Sequence, residues 1–342
     1  MEQNTKKKLS IWQILFLLFL IVGSVWIIKG NNENSMPRES RGKIFGTYYL
    51  MKYECKEALD SLIVEELRKV DRSLSMFNQK STVTQINTNK SDSVDRDFVK
   101  VFDLAQAVSS ATQGAFDVTV APLVNAWGFG FKNADSISSS QIDSIMQFVG
   151  FSKVRIEGGK VIKDDARLMM DFSAIAKGYG VDAVARLFDR KGVKNYMVEI
   201  GGEVVVKGKN AKQKPWTIGI VKPSENEGET QQTQTLIRAT DIAMATSGNY
   251  RRFYYKNGKR FAHTIDSHTG YPVEHSLLSA TVLAKDCATA DAYATAFMVM
   301  GVEKAQLFLK THPELSVYFI YSGEKGELCT WASAEMEKYL SK

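Results

Sequence analysis

The sequence predicts an α+β fold, with mixed but largely antiparallel sheets and flanking helices, preceded by one N-terminal membrane helix. Three observations carry this expectation. Short strand-like pieces are separated by tight-turn signals instead of alternating one for one with helices. Several longer segments place apolar residues at spacings of three and four. One N-terminal run is apolar almost throughout.

That run comes first in the chain. Residues 1–10 form a basic tail with Lys6, Lys7 and Lys8, and Ile11 to Ile28 follow, interrupted only by Gln13, Gly23 and Ser24. At a helical rise of about 1.5 Å per residue the run spans roughly 27 Å, nearly a hydrocarbon core. The lysines before it keep the tail cytoplasmic and send the remainder across the membrane. The expected location is therefore the inner membrane, crossed once, with the working domain in the periplasm. A cleaved signal peptide is the competing reading, because Val22-Gly23-Ser24 offers small residues at a cleavage point. No cysteine follows the run to carry a lipid. Residues 29–42 read as a polar tether outside the fold, and 43–342 as the folded domain.

Within that domain, residues 44–53 read as a strand. Leu59, Leu62, Ile63, Leu67, Val70 and Leu74 then trace the stripe of an amphipathic helix. Similar stripes occupy 98–111, 142–149 and 174–188, the first two ended by Gly114 and Gly150. Glu157-Gly158-Gly159-Lys160 and Lys256-Asn257-Gly258-Lys259 read as hairpin turns, since these residues supply the positive φ such turns need. Strands follow at 196–200, 203–207, 216–221, 235–240, 277–284 and 315–321, with a helix between the last two. Residues 222–235 are polar and read as a surface loop.

Composition narrows the function. In 342 residues, hydrophobic side chains make up 44% and charged ones 24%, ordinary globular usage that excludes disorder. Half of the formal +6 lies in the N-terminal segment, so the remaining charge is too small and dispersed for a nucleic-acid surface. Cys55, Cys287 and Cys329 form neither a disulfide framework nor a zinc site. The P-loop, the Rossmann glycine turn, HExxH and GxSxG are all missing.

Three clusters remain. Asp291 and Thr295 stand four apart in a helix expected over 286–300, so a carboxylate and a hydroxyl share one face. Oxygen ligands of this kind suit a hard cation such as Mg2+. Alternatively, Thr295 bonds back to a helix carbonyl and Asp291 is solvated. The second cluster, Asp171 to Gly178, opens the helix at 174, with Ser173 placed to cap it and Lys177 in its first turn. It reads either as a phosphate seat or as a capped helix with an exposed lysine. The third joins Thr246 to Arg252 with His263-Thr264-Ile265-Asp266-Ser267-His268-Thr269-Gly270-Tyr271-Pro272, polar density at strand exits that favours a site over a structural His263.

Taken together these residues resemble the ApbE family of flavin transferases, also called FAD:protein FMN transferases. The resemblance runs in order from about 43 to 335. It covers Phe45 to Tyr49, Leu74 to Asn78, Gly114 to Thr119 with Pro122-Leu123, Asp171 to Gly178, Gly201-Gly202-Glu203, Trp216 to Ile220, Ser247 to Tyr250, His263 to Pro272, and Asp291 to Thr295. It implies an extracytoplasmic enzyme that takes FMN from FAD and attaches it through a phosphodiester to a threonine hydroxyl of a target flavoprotein, releasing AMP. The partner it implies is an acceptor flavoprotein subunit of a membrane redox complex.

The resemblance also distributes roles. A Mg2+ held by Asp291, Thr295 and the backbone carbonyl of Ala174 would neutralise the diphosphate, with Lys177 adding charge. His263, with an unperturbed pKa near neutrality, is the expected base for the hydroxyl, and Asp266 its orienting partner. Flavin contacts fall on Phe45, Phe77, Ala115, Phe116, Asp117, Asp171, Lys177 and Ile265. The aromatics at 45, 77 and 116 are placed to stack, and Asp117 or Asp171 to bond ring-edge donors. Phe45 stands where methionine is frequent, Glu199 and Glu203 flank the glycine pair where Asn and Asp are common, and Ser267 replaces a proline and is expected to loosen the turn beside His263. Two other readings remain open: a Mg2+-dependent FAD pyrophosphatase giving FMN and AMP, and a non-catalytic, membrane-tethered FAD-binding protein.

Overall fold

The computed structural model describes residues 11–31, 35–130, 137–223, 232–249, 253–256 and 259–341. The basic tail, most of the polar loop after Lys222, Tyr250 to Arg252 and the Asn257-Gly258 turn lie outside the described residues.

The chain opens with helix α1 (Ile11–Asn31) and the hairpin β1 (Met36–Ile44) and β2 (Thr47–Cys55). Four helices follow: α2 (Asp60–Leu74), α3 (Thr82–Asn87), α4 (Arg96–Ala111) and α5 (Ala121–Ala126). Next come α6 (Ser139–Met146), the small hairpin β3 (Val154–Glu157) and β4 (Lys160–Lys163), and α7 (Ala176–Arg190). Strands then dominate: β5 (Tyr196–Ile200), β6 (Glu203–Lys207), β7 (Trp216–Val221), β8 (Thr233–Ala239), β9 (Ile242–Gly248), β10 (Phe253–Lys256), β11 (Lys259–Ala262) and β12 (Leu277–Ala284). The long helix α8 (Cys287–Leu309) precedes β13 (Ser316–Ser322), β14 (Leu328–Ala332) and the short α9 (Ala334–Glu337).

Among the described residues, eight strands form one sheet in the order β1-β2-β5-β6-β9-β12-β13-β14. Every pairing in it is antiparallel. The expected α+β class with antiparallel sheets is what the chain adopts. Alternation explains the layering: Tyr196, Val198 and Ile200 of β5 are buried while Met197 and Glu199 between them are not. One sheet face packs on α2 and α7, where Ile63, Leu67, Val184 and Phe188 meet Tyr49, Met51 and Val198. The other face is covered by the β7–β8 hairpin, through Trp216, Ile218 and Ile237 against Val204, Val206 and Met244.

The polar tether ends earlier than its composition suggests. Met36 to Ile44 pair residue for residue with Thr47 to Cys55, so the fold begins at Met36 and not at 43. An edge strand needs few apolar residues, and it tolerates Pro37 because only one side of its backbone joins the ladder. Ser40 is buried in it. β9 and β14 also escaped the sequence reading. β9 sits at the centre of the sheet, yet its small residues, Ala243, Ala245 and Ser247, give no strand-like pattern.

Helix α1 carries exposed apolar side chains at Leu15, Phe16, Leu17 and Leu18, which together cover every side of the helix. Among the described residues no helix is long and apolar enough to cross a membrane.

Candidate active site

Helix α7 starts at Ala176, and Ile175 before it provides no side-chain cap. The expected cap by Ser173 is absent. Instead, the Ser173 backbone N–H donates to Asp171 Oδ1 at 2.8 Å, while Phe172 and Ile175 are fully buried and pin the turn. The turn is thus set by an aspartate two residues upstream and by packing, not by a hydroxyl.

What α7 does for the site depends on Gly178. A Cβ there would lie 2.3 Å from the carbonyl oxygen of Cys287, a backbone atom that cannot swing away, so glycine alone permits α7 to meet the first turn of α8. The approach delivers the Gly178 N–H to Asp291 Oδ2 at 3.0 Å. One turn along, Asp182 accepts from the backbone N–H groups of Cys287 and Ala288, both at 2.9 Å. Burial pushes Asp182 up to about 7, against the pull of those two donors.

Lys177 sits between two carboxylates, with Nζ 3.4 Å from Glu203 Oε1 and 3.7 Å from Asp291 Oδ1. Burial alone would lower its pKa, but the attraction of Asp291 and Glu203 outweighs burial and raises it, so the ammonium stays charged. Burial pushes Glu203 up to about 8, with Lys177 pulling down and Asp291 adding to the rise. Neither an exposed lysine nor a solvated Asp291 survives: Asp291 is 1% exposed. Thr295 likewise does not turn back to its helix, since its hydroxyl lies 3.1 Å from Ser247 Oγ at the end of β9. Residues from α7, α8, β6 and β9 thus meet in one polar cluster, with Asp291 and Glu203 buried and Lys177, Thr295 and Ser247 half-buried.

A second group is assembled around the turn after β11. The Ser267 hydroxyl donates to the Gly114 carbonyl at 2.6 Å, and His268 Nε2 lies 2.7 Å from the Gln113 carbonyl. Ser267, expected to loosen this turn, ties it to the segment before Ala115, so a hydrogen bond replaces the restraint of a proline ring. Asp266 does not orient His263: its Oδ1 accepts from the His268 backbone N–H at 2.9 Å and lies 3.0 Å from His268 Nδ1. A carboxylate two residues before an N–H closes an Asx turn, and that local bond claims it. His263 is half-buried with its ring edge toward Phe129, centroids 6.4 Å apart.

The flavin positions divide. Phe77 is 75% exposed. Phe45 forms the β1–β2 turn at φ 50°, and its ring lies where a Cβ on Gly180 of α7 would be, 2.6 Å away. Phe116, expected to stack, is 2% exposed and belongs to the core with Phe98 and Phe172. Asp117 is also committed: Oδ1 accepts from the Thr119 N–H and hydroxyl and Oδ2 from Phe151 N–H, leaving little for a ring edge. The Ile265 side chain packs with Leu123, Trp127 and Ile142. Ala115 is buried, and Ala174 and Asp171 are half-buried at the mouth of α7. The Asp171 backbone N–H donates to the Val118 carbonyl at 2.7 Å, joining the α7 entry to the 114–118 segment.

Sequence reasoning gave no role to Glu203 or Asp182, and it placed Ser247 in a different cluster from Thr295. The available signal for Glu203 was an acidic residue heading an apolar strand, Glu203 to Lys207, just after Gly201-Gly202.

The chain is similar in sequence and fold to known proteins. The ApbE family model matches residues 45–319. The chain is 38% identical to an FAD:protein FMN transferase of Haemophilus influenzae, over 86% of this chain and 89% of that one. With the Vibrio cholerae FAD:protein FMN transferase it shares 34% identity over 94% and 98% of the two chains. Its fold overlays the solved flavin transferase ApbE from Vibrio cholerae with a TM-score of 0.79, covering 90% of this chain and all of that one. The apo flavinyl transferase ApbE of Pseudomonas stutzeri gives 0.80 at 29% identity, over 89% and 97%. Lys177, Glu203, His263 and Asp291 all fall inside the stretch that the family model matches, and the chain belongs to the ApbE family.

Proposed function

We propose that this chain transfers FMN from FAD to a threonine hydroxyl of a target flavoprotein and releases AMP, with Mg2+ at the α7–α8 junction. The observation that carries the reading is the Lys177 ammonium, held charged between Asp291 and Glu203 one helical turn from the Thr295 hydroxyl. Relatives named for the same transfer support it.

The donors suit a hard cation. Asp291, the Thr295 hydroxyl and the Ala174 carbonyl would hold Mg2+, an oxygen-only set. Among the described residues no three His, Cys, Asp or Glu side chains group as a metal site, so hydroxyl and carbonyl oxygens must complete it. Glu203 Oε2, buried and without a hydrogen-bond partner, marks a region short of positive charge. When bound, the ion neutralises charge on the diphosphate oxygens.

The chain's own residues supply the rest. Lys177 adds a fixed positive charge for the same oxygens, and the Gly178 N–H keeps Asp291 oriented. His263 takes the proton of the acceptor hydroxyl as its oxygen bonds to the FMN-side phosphorus. The bond from that phosphorus to the bridging oxygen breaks, and the oxygen leaves with AMP. Phe77 offers an exposed ring for flavin stacking.

The acceptor is a flavoprotein subunit of a membrane redox complex, and the apolar run Ile11 to Ile28 of the sequence holds the enzyme at the inner membrane with its domain in the periplasm. The apolar run Ile11 to Ile28 and the exposed side chains on every side of α1 support this reading. Extraction of membranes with alkaline carbonate, followed by mass spectrometry of the mature N-terminus, tests it. For the chemistry, the full chain is incubated with FAD, Mg2+ and an acceptor domain. Acid-stable flavin fluorescence on the acceptor is the expected result. Free FMN and AMP alone would establish hydrolysis instead.

A further inference from the structure

Lys177 serves two buried acids at once: the carboxyl groups of Asp291, 1% exposed, and Glu203, 2% exposed, share its one ammonium. Glu203 uses only Oε1 for it, and Oε2 has no hydrogen-bond partner although water does not reach it. A carboxylate oxygen in that state costs free energy unless positive charge lies nearby. Its place is fixed by the backbone. Glu203 follows the Gly201-Gly202 turn, where φ is 64° and 106°, and opens β6, which is paired with β5 and β9. Lys177 therefore links the sheet, through Glu203, to α8, through Asp291.

We propose that Glu203 is a positioning residue: it shares the Lys177 ammonium with Asp291, so that Asp291 stays available to a divalent cation. This rests on the cation reading above. Without Glu203 the lysine has only Asp291 to pair with, and an ammonium closed on that carboxylate competes directly with a metal ion. With Glu203 in place, the lysine is held by the sheet when Asp291 turns to the cation. It then remains as a separate charge for the diphosphate.

The test is direct titration of the full-length protein with Mg2+ alone, by calorimetry, without FAD or acceptor. Glu203→Gln keeps the shape and removes the charge, and should weaken Mg2+ binding about tenfold. Glu203→Asp keeps the charge and should stay within about threefold of the parent. Because the residue acts through the lysine, Glu203→Gln should cost little in a Lys177→Gln background, which a double-mutant cycle reads. Parental Mg2+ affinity in a Glu203→Gln protein with unchanged circular dichroism and Tm would overturn the proposal. So would a tenfold loss in Glu203→Asp, which decides the matter should Glu203→Gln fail to fold. A parent protein that binds no Mg2+ would instead sink the cation reading itself.

Discussion

The two halves of the site are built differently. Around Lys177, the charged groups stand on α7, α8 and β6, buried, with backbone N–H groups of one element bonded to carboxylates of another. Around His263, the residues belong to a turn secured by single hydrogen bonds to Gln113 and Gly114. On the reading proposed above, charges that act on a diphosphate gain strength from a low dielectric, which packed helices and strands provide. On that same reading, a base that meets an incoming protein hydroxyl stays near the surface, and here its turn is tied by side chains to a segment far away in the sequence. The expected consequence is that substitutions in the first half disturb charge balance, and those in the second disturb placement.

Four experiments probe that contrast. Asp291→Ala should have the largest effect, removing the oxygen donors and leaving Lys177 with Glu203. Turnover should fall by about 10³-fold or more, measured by acceptor fluorescence with circular dichroism as the folding control. His263→Ala should lower the rate about 10²- to 10⁴-fold while FAD affinity, from fluorescence titration, stays unchanged. Equal losses of FAD binding in both variants would erase the distinction between the two halves.

Stability against pH sharpens the first half. Asp182 rises from 3.8 to about 7 on folding, so the folded state holds a proton the unfolded chain has lost. Its contribution is therefore greatest at low pH and declines as pH climbs through that window. Relative to Asp182→Asn, the parent protein should lose stability between those two values, read from urea unfolding at several pH values. A flat difference would mean the carboxylate is ionised throughout. The smallest effect belongs to the second half: Ser267→Ala removes one hydroxyl donor to Gly114 and should cost about 1 kcal/mol in urea unfolding.

Much of this was legible in the sequence. The stripe from Leu59 to Leu74 appears as α2, and the pairing of Asp291 with Thr295 on one helical face holds, because both follow from a 3.6-residue period. The strands at 196–200, 203–207, 216–221 and 277–284 were set by short apolar runs and their turns. Elsewhere composition misled. β1 looked like tether because an edge strand is mostly polar, and Phe116 looked like a stacking ring because an aromatic residue declares its chemistry but not its surroundings.

By itself, then, the sequence determined the periodic elements, the apolar N-terminal run, and the residue types able to hold a cation and accept a proton. These are properties of neighbours along the chain. Tertiary structure alone decided that Glu203 faces Lys177, that Ser247 meets Thr295, and that Asp266 serves His268 and not His263. The physical reason lies in contacts between distant residues. Gly178 lets two helices touch where any side chain would hold them apart, and an antiparallel register carries β6 and β9 to the same end of the sheet. Neither the separation of two backbones nor the neighbour of a strand is written in local periodicity, because both are settled by how whole elements pack.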